Sequence, residues 1–70
     1  MSANDAPVTS GETHVLEIRE LGSEGDGVGY VGDFAVLVPN GDLGEIVRVE
    51  ITDVGPNFAR ADILEREFGG

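Results

Sequence analysis

A chain of 70 residues has room for one small domain and for no second one. The absence of cysteine excludes a disulfide scaffold and a thiolate metal site, and no apolar run is long enough to cross a membrane. The beginning of the chain also lacks the basic and apolar regions of a secretory signal peptide. We therefore expect a cytoplasmic protein with no membrane partner.

The charge balance is strongly acidic. Fourteen Asp and Glu residues face four basic ones, which gives a formal net charge of −10, and all the basic residues are arginines. Because the acids are scattered along the chain, we expect them to coat the folded surface and to repel one another at low salt. Molar salt shortens the Debye length to about 3 Å and screens that repulsion. The composition favours a high-salt, haloarchaeal cytoplasm; the alternative is an ordinary acidic domain that binds a basic protein surface.

Five short segments show the alternation or the apolar continuity of β-strands, and turn residues separate them. They are residues 14–20, 28–31, 34–38, 45–54 and 58–63. Gly32 and Asp33 lie between the second and third segments, and a glycine-first pair is typical of a type II′ hairpin turn. Since no amphipathic helix of useful length is evident, the sequence predicts an all-β fold, a small five-stranded antiparallel β-barrel of the OB or SH3-like kind.

We expect the barrel to occupy residues 12–65. Residues 1–11 are small, polar and without periodicity, which predicts a flexible N-terminal tail, and residues 66–70 are expected to form a short C-terminal tail. The parity of the alternating segments also predicts which side chains form the core. These are Leu16, Ile18, Val36, Val38, Val47, Val49, Ile51, Ala59, Ala61 and Ile63.

A glycine-rich stretch raises dinucleotide binding as an alternative. Gly27, Gly29 and Gly32 match the spacing G-x-G-x-x-G. A dinucleotide fingerprint requires a helix after the glycines inside a βαβ unit, whereas here another strand is predicted to follow. We therefore interpret Gly25 and Gly27 as a tight turn or bulge, Gly29 as a kink at a barrel corner and Gly32 as a turn residue, and we expect no nucleotide cofactor.

The sequence gives no case for enzymatic chemistry. His14 is the only histidine, and no Ser or Thr has the neighbours that activate a nucleophile. The loop acids Asp26, Asp33 and Asp42 lack the spacing of a calcium-binding loop. We expect a non-catalytic protein with no metal and no cofactor.

The last predicted strand combines an aromatic and a basic residue on its polar face. Alternation turns Ala59 and Ala61 toward the core, which leaves Phe58 and Arg60 side by side on the opposite face. An exposed ring beside a guanidinium is typical of surfaces that stack on unpaired bases. The alternative is that Phe58 covers an end of the barrel or packs under the N-terminal tail, and the pattern leaves the stacking and packing interpretations open.

Five short motifs, in a fixed order, carry a resemblance to a known family. They are Leu16-Glu17-Ile18, EGDGVG (24–29), DFAVLVPNG (33–41), LGEIVRVEI (43–51) and NFARAD (57–62). Together they span about residues 11–65, and they resemble the TRAM domain in its stand-alone archaeal form. The resemblance implies a small β-barrel that binds RNA, and a role like that of cold-shock proteins, which act as RNA chaperones.

The resemblance also implies an RNA-binding site at Tyr30, Phe34, Leu37, Phe58 and Arg60. Three of these positions depart from the family: Tyr30 stands where a basic residue is common, Leu37 where phenylalanine is common, and Arg60 where an aromatic residue is common. Arg60 can still stack on a base or contact phosphate. The parity of Tyr30 stays open, because a bulge at a neighbouring glycine would turn it to the other face.

We expect Tyr30, Phe34, Phe58 and Arg60 to form one exposed patch on a monomeric protein. The patch would bind single-stranded or loop regions of RNA, such as those of tRNA or rRNA, with little sequence preference. A remote alternative follows from Gly69-Gly70, since ubiquitin-like modifiers end in diglycine. That fold requires a helix packed on the sheet, and the sequence predicts none.

Overall fold

The chain folds as an all-β domain, in a computed structural model that describes residues 8–68. Its strands are β1 (Thr13–Glu17), β2 (Glu20–Leu21), β3 (Gly27–Val31), β4 (Phe34–Val38), β5 (Ile46–Val54) and β6 (Phe58–Phe68). Within these residues the chain forms no helix, and so none that could cross a membrane. The predicted all-β fold is confirmed, while the first seven residues and Gly69-Gly70 lie outside the described residues.

The strands of the described chain form one curled, half-closed sheet in the order β1-β5-β6-β4-β3-β2. Strand pairs are antiparallel except for β4 and β6, which run parallel. The structure therefore corrects two details of the predicted five-stranded antiparallel barrel: it adds the two-residue strand β2, and it contains a parallel pair. A strand of two residues is too short to show alternation, and pairing between strands distant in sequence leaves no mark in the local pattern.

The core follows the predicted alternation closely. Nine of the ten residues predicted for it are buried, and the tenth, Ile63, is half-buried and packs against the others. The exposure of Arg48 and Glu50 confirms the register of β5. One further core residue, Val8, was not predicted, and Val28 is buried outside this core cluster.

Residues assigned to the two tails contact the sheet or extend it within the described residues. Val8 is 3% exposed and packs in the core, although the sequence placed it in a flexible segment. The N–H of Gly11 donates to the carbonyl of Ile51 at 2.7 Å, and this bond ties residues 8–11 to β5. At the other end β6 continues to Phe68, beyond the predicted barrel boundary at residue 65.

The glycines of the glycine-rich stretch serve two structural purposes. Gly32 has a φ of 62° in the hairpin between β3 and β4, as the first central position of a type II′ turn requires. Gly27 and Gly29, in contrast, lie in regular pairing with β4 and turn toward the core, which corrects their interpretation as a bulge and a kink. A Cβ added to Gly27 would lie 2.9 Å from Cγ2 of Ile18 and 3.0 Å from the carbonyl oxygen of Gly41.

Gly27→Ala is therefore expected to lower the free energy of unfolding by about 1–3 kcal/mol, the usual cost of overpacking a core. The obstacle includes backbone atoms of Gly41, which cannot rotate away. Urea denaturation measures the effect, and Gly22→Ala is the matched control. A Cβ at Gly22 would lie 3.6 Å from the carbonyl oxygen of Asp26, an ordinary contact. Equal denaturation midpoints for the two variants would show that the sheet does not pack tightly at Gly27.

Candidate nucleic-acid interface

The outer face of β3, β4 and β6 brings together four of the five residues predicted for the site. Register places Tyr30 and Phe58 on either side of Ala35, and it places Leu37 beside Arg60. These positions have the parity opposite to the core residues of the same strands, so their side chains share the outer face. We call the four residues Tyr30, Leu37, Phe58 and Arg60 the platform.

The platform is open to solvent. Phe58 is 40% exposed, a large fraction for a phenylalanine in the middle of a sheet, and Arg60 is exposed as well. Tyr30 and Leu37 are half-buried. Because neighbouring strands lie about 4.8 Å apart, the backbones that carry Tyr30 and Phe58 are separated by roughly 10 Å, with only the methyl group of Ala35 between them.

Tyr30 is held by a hydrogen bond from its hydroxyl to Oε1 of Glu20, at 3.1 Å. This bond raises the pKa of the Tyr30 phenol above its ordinary value of 10.0, and the nearby positive charge of Arg19 opposes the shift in part. The strand pairing between β3 and β4 is regular, so no bulge reverses the parity of Tyr30. The bond to Glu20 therefore restricts the motion of an aromatic side chain that already lies on the outer face.

Two of the four arginines form ion pairs within the described residues, and two do not. Arg48 lies 3.6 Å from Glu67, and Arg66 is paired with Glu45. Within residues 8–68, neither Arg19 nor Arg60 has a carboxylate oxygen within 4 Å. The two cations that are free of ion pairs in this part of the chain are thus the one on the platform and the one near Tyr30.

Phe34 does not belong to the platform, and its predicted place in one exposed patch is corrected. It has the parity of Val36 and Val38, and it packs against the core as a half-buried side chain. The prediction failed because residues 34–38 are apolar on both faces, so alternation cannot assign their direction.

A loop of residues 22–26 stands beside the platform. The N–H of Gly22 donates to the carbonyl of Asp26 at 2.7 Å, and the N–H of Gly25 donates to the carbonyl of Gly22 at 2.9 Å. Together with Leu37 and Arg60, this loop encloses an open cleft of about 240 Å³. Across the described chain, no three His, Asp or Glu side chains are arranged to hold a metal ion.

Comparisons with known proteins identify the family of the chain. The model of the TRAM domain family matches residues 7–64. The chain belongs to the TRAM domain family. TRAM domains are non-catalytic RNA-binding modules that occur in RNA methyltransferases and translation factors.

The chain is similar to parts of larger archaeal proteins. It is 49% identical over 61 residues to ribosomal RNA large subunit methyltransferase E of Methanosarcina barkeri, over 87% of this chain and 23% of that protein. It is 38% identical over 60 residues to translation initiation factor 2 subunit beta of Methanothrix thermoacetophila, over 86% of this chain and 29% of that protein. The chain thus spans about a quarter of the length of the curated relatives it matches.

A solved structure supports the fold. The solution structure of a conserved protein of Methanococcus maripaludis superimposes with a TM-score of 0.85 and 31% identity, over 91% of each chain. The resemblance to the TRAM family inferred from the sequence motifs is confirmed.

The TRAM domain contains one buried charged residue that the sequence analysis missed. Glu45 is 4% exposed, and its carboxylate accepts hydrogen bonds from Arg66 of β6 and from the backbone N–H of Asp42. Arg66 also donates to the carbonyl of Asn40 at 3.1 Å. This network fixes the loop between β4 and β5 onto β6. The only sequence signal was Asp42 three residues before Glu45, a spacing that permits a local backbone–side-chain bond.

The network makes stability depend on pH. The hydrogen bond from Arg66, with a smaller contribution from the N–H of Asp42, holds the pKa of Glu45 below its ordinary value of 4.5. A lowered pKa in the folded state stabilises the fold above the unfolded pKa, and this stabilisation disappears as the pH falls through the folded pKa. We therefore expect Glu45→Gln to lower the melting temperature at pH 7, and this difference from the parent to shrink as the pH falls below 4.5.

Thermal melts from pH 7 to acid measure this difference. Glu65→Gln removes an exposed carboxylate of β6 and corrects for the loss of one negative charge. A deficit for Glu45→Gln that stays constant with pH would mean that the Glu45–Arg66 bond does not stabilise the fold.

Proposed function

We propose that this TRAM domain binds single-stranded or loop regions of RNA on the platform, with little sequence preference, and acts as an RNA chaperone in a high-salt cytoplasm. Tyr30 and Phe58 stack on unpaired bases, Leu37 supplies apolar contact, and Arg60 donates charge-assisted hydrogen bonds. The domain acts as a monomer, and its targets include loops of tRNA or rRNA. The relatives support RNA as the partner, since they are a ribosomal RNA methyltransferase and a translation initiation factor subunit.

One observation carries this proposal. The outer face places two aromatic rings across a single alanine, with an arginine beside Phe58 that has no acidic partner within the described chain. Every base has an aromatic surface, so stacking on such rings tolerates any sequence. Arginine adds directional hydrogen bonds without requiring one particular base.

The net charge of −10 is consistent with this function at high salt. Most RNA-binding proteins gain affinity from counterion release, a contribution that falls steeply as salt rises. Stacking contributes about 1–3 kcal/mol per base and does not depend on released ions. In molar KCl an acidic domain with a small platform therefore binds RNA mainly by stacking. The resulting affinity is modest, which suits a chaperone.

Fluorescence anisotropy with labelled RNA tests the proposal. We expect the protein to bind an unstructured RNA in molar KCl, to bind a fully paired hairpin stem more weakly, and to show a shallow dependence of affinity on salt. The absence of RNA binding at every salt concentration would overturn the proposal.

A protein-interaction domain is the second candidate, and the acidic composition favours it. An acidic surface that binds a basic partner loses affinity steeply as salt rises, because the attraction is screened. The same titration with a basic peptide in place of RNA separates the two functions. Binding of the peptide that vanishes in molar KCl, together with no RNA binding, would support this candidate.

Adaptation to high salt predicts a salt-dependent fold. Glu50 of β5 lies directly opposite Asp62 of β6, and like charges in such pairs destabilise a sheet. We expect the melting temperature to rise as KCl increases to molar levels, where the Debye length falls to about 3 Å. The double variant Glu50→Gln/Asp62→Asn should melt higher than the parent at low salt and respond less to KCl. A melting temperature that is constant across this range would contradict the adaptation.

A further inference from the structure

The cleft beside the platform is open to solvent, and its size suits one small planar ligand. Its volume of about 240 Å³ lies below the roughly 300 Å³ at which pockets for drug-sized ligands begin. Leu37 gives it an apolar contact, and Arg60 belongs both to the cleft and to the platform. A strand of RNA stacked on Phe58 would therefore lie close to the cleft.

The lining of the cleft combines hydrogen-bond acceptors and donors. Glu24 and Asp26 contribute carboxylates, which accept hydrogen bonds, and Arg60 contributes a guanidinium, which only donates. The backbone of the loop that carries the two acids is held in shape by its own hydrogen bonds. In molar salt these carboxylates repel the phosphates of a passing strand little, because the charges are screened.

We infer that this cleft binds a guanine base and gives the otherwise sequence-tolerant platform a preference for guanosine. The inference rests on the proposed RNA binding. Guanine offers two adjacent donors, N1–H and the N2 amino group, to a carboxylate of Glu24 or Asp26, and two adjacent acceptors, O6 and N7, to the guanidinium of Arg60.

The other bases fit the same lining less well. Uracil has one ring N–H donor between two carbonyl groups, so a carboxylate can accept only one bond from it. Adenine and cytosine each offer a single exocyclic amino group as a donor, next to a ring nitrogen that accepts and therefore faces the carboxylate unfavourably. Guanine is the base with paired donors on one edge and paired acceptors on another.

The first test uses the parent protein and needs no variant. Anisotropy titrations in molar KCl compare an oligouridine with the same oligomer carrying one central guanosine. We expect about tenfold tighter binding of the guanosine oligomer, the effect of a good two-bond contact to a base. Inosine, which lacks the N2 amino group, and 7-deazaguanosine, which lacks the N7 acceptor, should each lose most of that gain. Equal affinities for the guanosine and uridine oligomers would overturn the inference.

The second test uses the loop acids. Glu24→Ala/Asp26→Ala should reduce the affinity for the guanosine oligomer to that for oligouridine, and leave oligouridine binding unchanged. Glu17→Ala/Glu65→Ala removes two exposed acids outside the cleft and controls for the change in net charge. A guanosine preference that survives in the loop variant would overturn the inference. Failure of the parent to bind either oligomer would instead refute the proposed RNA binding itself.

Discussion

Replacement of both platform aromatics, Tyr30→Ala with Phe58→Ala, is expected to weaken RNA binding in molar KCl by about 2–6 kcal/mol, twice the 1–3 kcal/mol per stacked base. In molar salt, counterion release contributes little, so stacking supplies most of the affinity. Phe58→Ala alone should change the melting temperature only slightly, because Phe58 is 40% exposed and its side chain lies on the solvent side of the sheet. Anisotropy titration and a thermal melt of the same preparation measure the two effects.

Phe34→Ala is the matched control for this variant. Phe34 is also an aromatic residue of the same sheet, but it packs against the core on the opposite face. We expect the Phe34→Ala variant to be less stable than the parent and, while folded, to bind RNA with the parent's affinity. If Phe58→Ala alone lowered stability by several kcal/mol, the ring would act as a cover of the barrel, the alternative that the sequence left open. A folded double variant that binds RNA as tightly as the parent would exclude stacking on the platform.

Ile18→Ala is expected to lower the free energy of unfolding by about 2–5 kcal/mol, the cost of truncating a fully buried aliphatic side chain. Ile18 is 0% exposed, and its side chain lies over the backbone of Gly27 and Gly41, where no Cβ fits. Its backbone also joins two segments: its N–H donates to the carbonyl of Glu45, and its carbonyl accepts from Gly44, both at 2.8 Å. The cavity left by the truncated side chain would therefore lie between β3 and the loop that joins β4 to β5.

Such a loss is large for a domain of this size, since natural domains have only about 5–15 kcal/mol of stability in total. Urea denaturation in molar KCl measures it, and Val15→Ala is the matched control, because Val15 is 54% exposed on β1. A midpoint for Ile18→Ala close to that of the control would mean that the sheet closes without the packing of Ile18.

The fold was predictable where burial on one face imposes alternation. In β5, Val47, Val49 and Ile51 are buried while Arg48 and Glu50 are exposed, so the period of two is complete and assigns every side chain. The same period in β6 assigns Phe58 and Arg60 to the outer face, because Ala59 and Ala61 are the buried positions between and beyond them.

Other features left no such pattern. Phe34 was misplaced because an apolar run conceals its own parity. Val8 lies in a segment whose composition resembles a tail, and the nearby Gly11 and Glu12 form hydrogen bonds with Ile51 of β5, far along the chain. Glu45 is buried by its pairing with Arg66, 21 residues away, which no local spacing indicates. For Val8 and Glu45, contacts with residues far along the chain were therefore the feature that local sequence patterns could not show.

The most direct test is to map the residues of the protein that RNA contacts. Amide chemical shifts of the isotope-labelled protein, titrated with a single-stranded RNA in molar KCl, report contact residue by residue. We expect the largest shifts at the platform residues Tyr30, Leu37, Phe58 and Arg60, with small shifts on β1 and on the outer side of β5. Shifts centred on Val15 and Arg48, or no shifts at a saturating RNA concentration, would contradict this expectation.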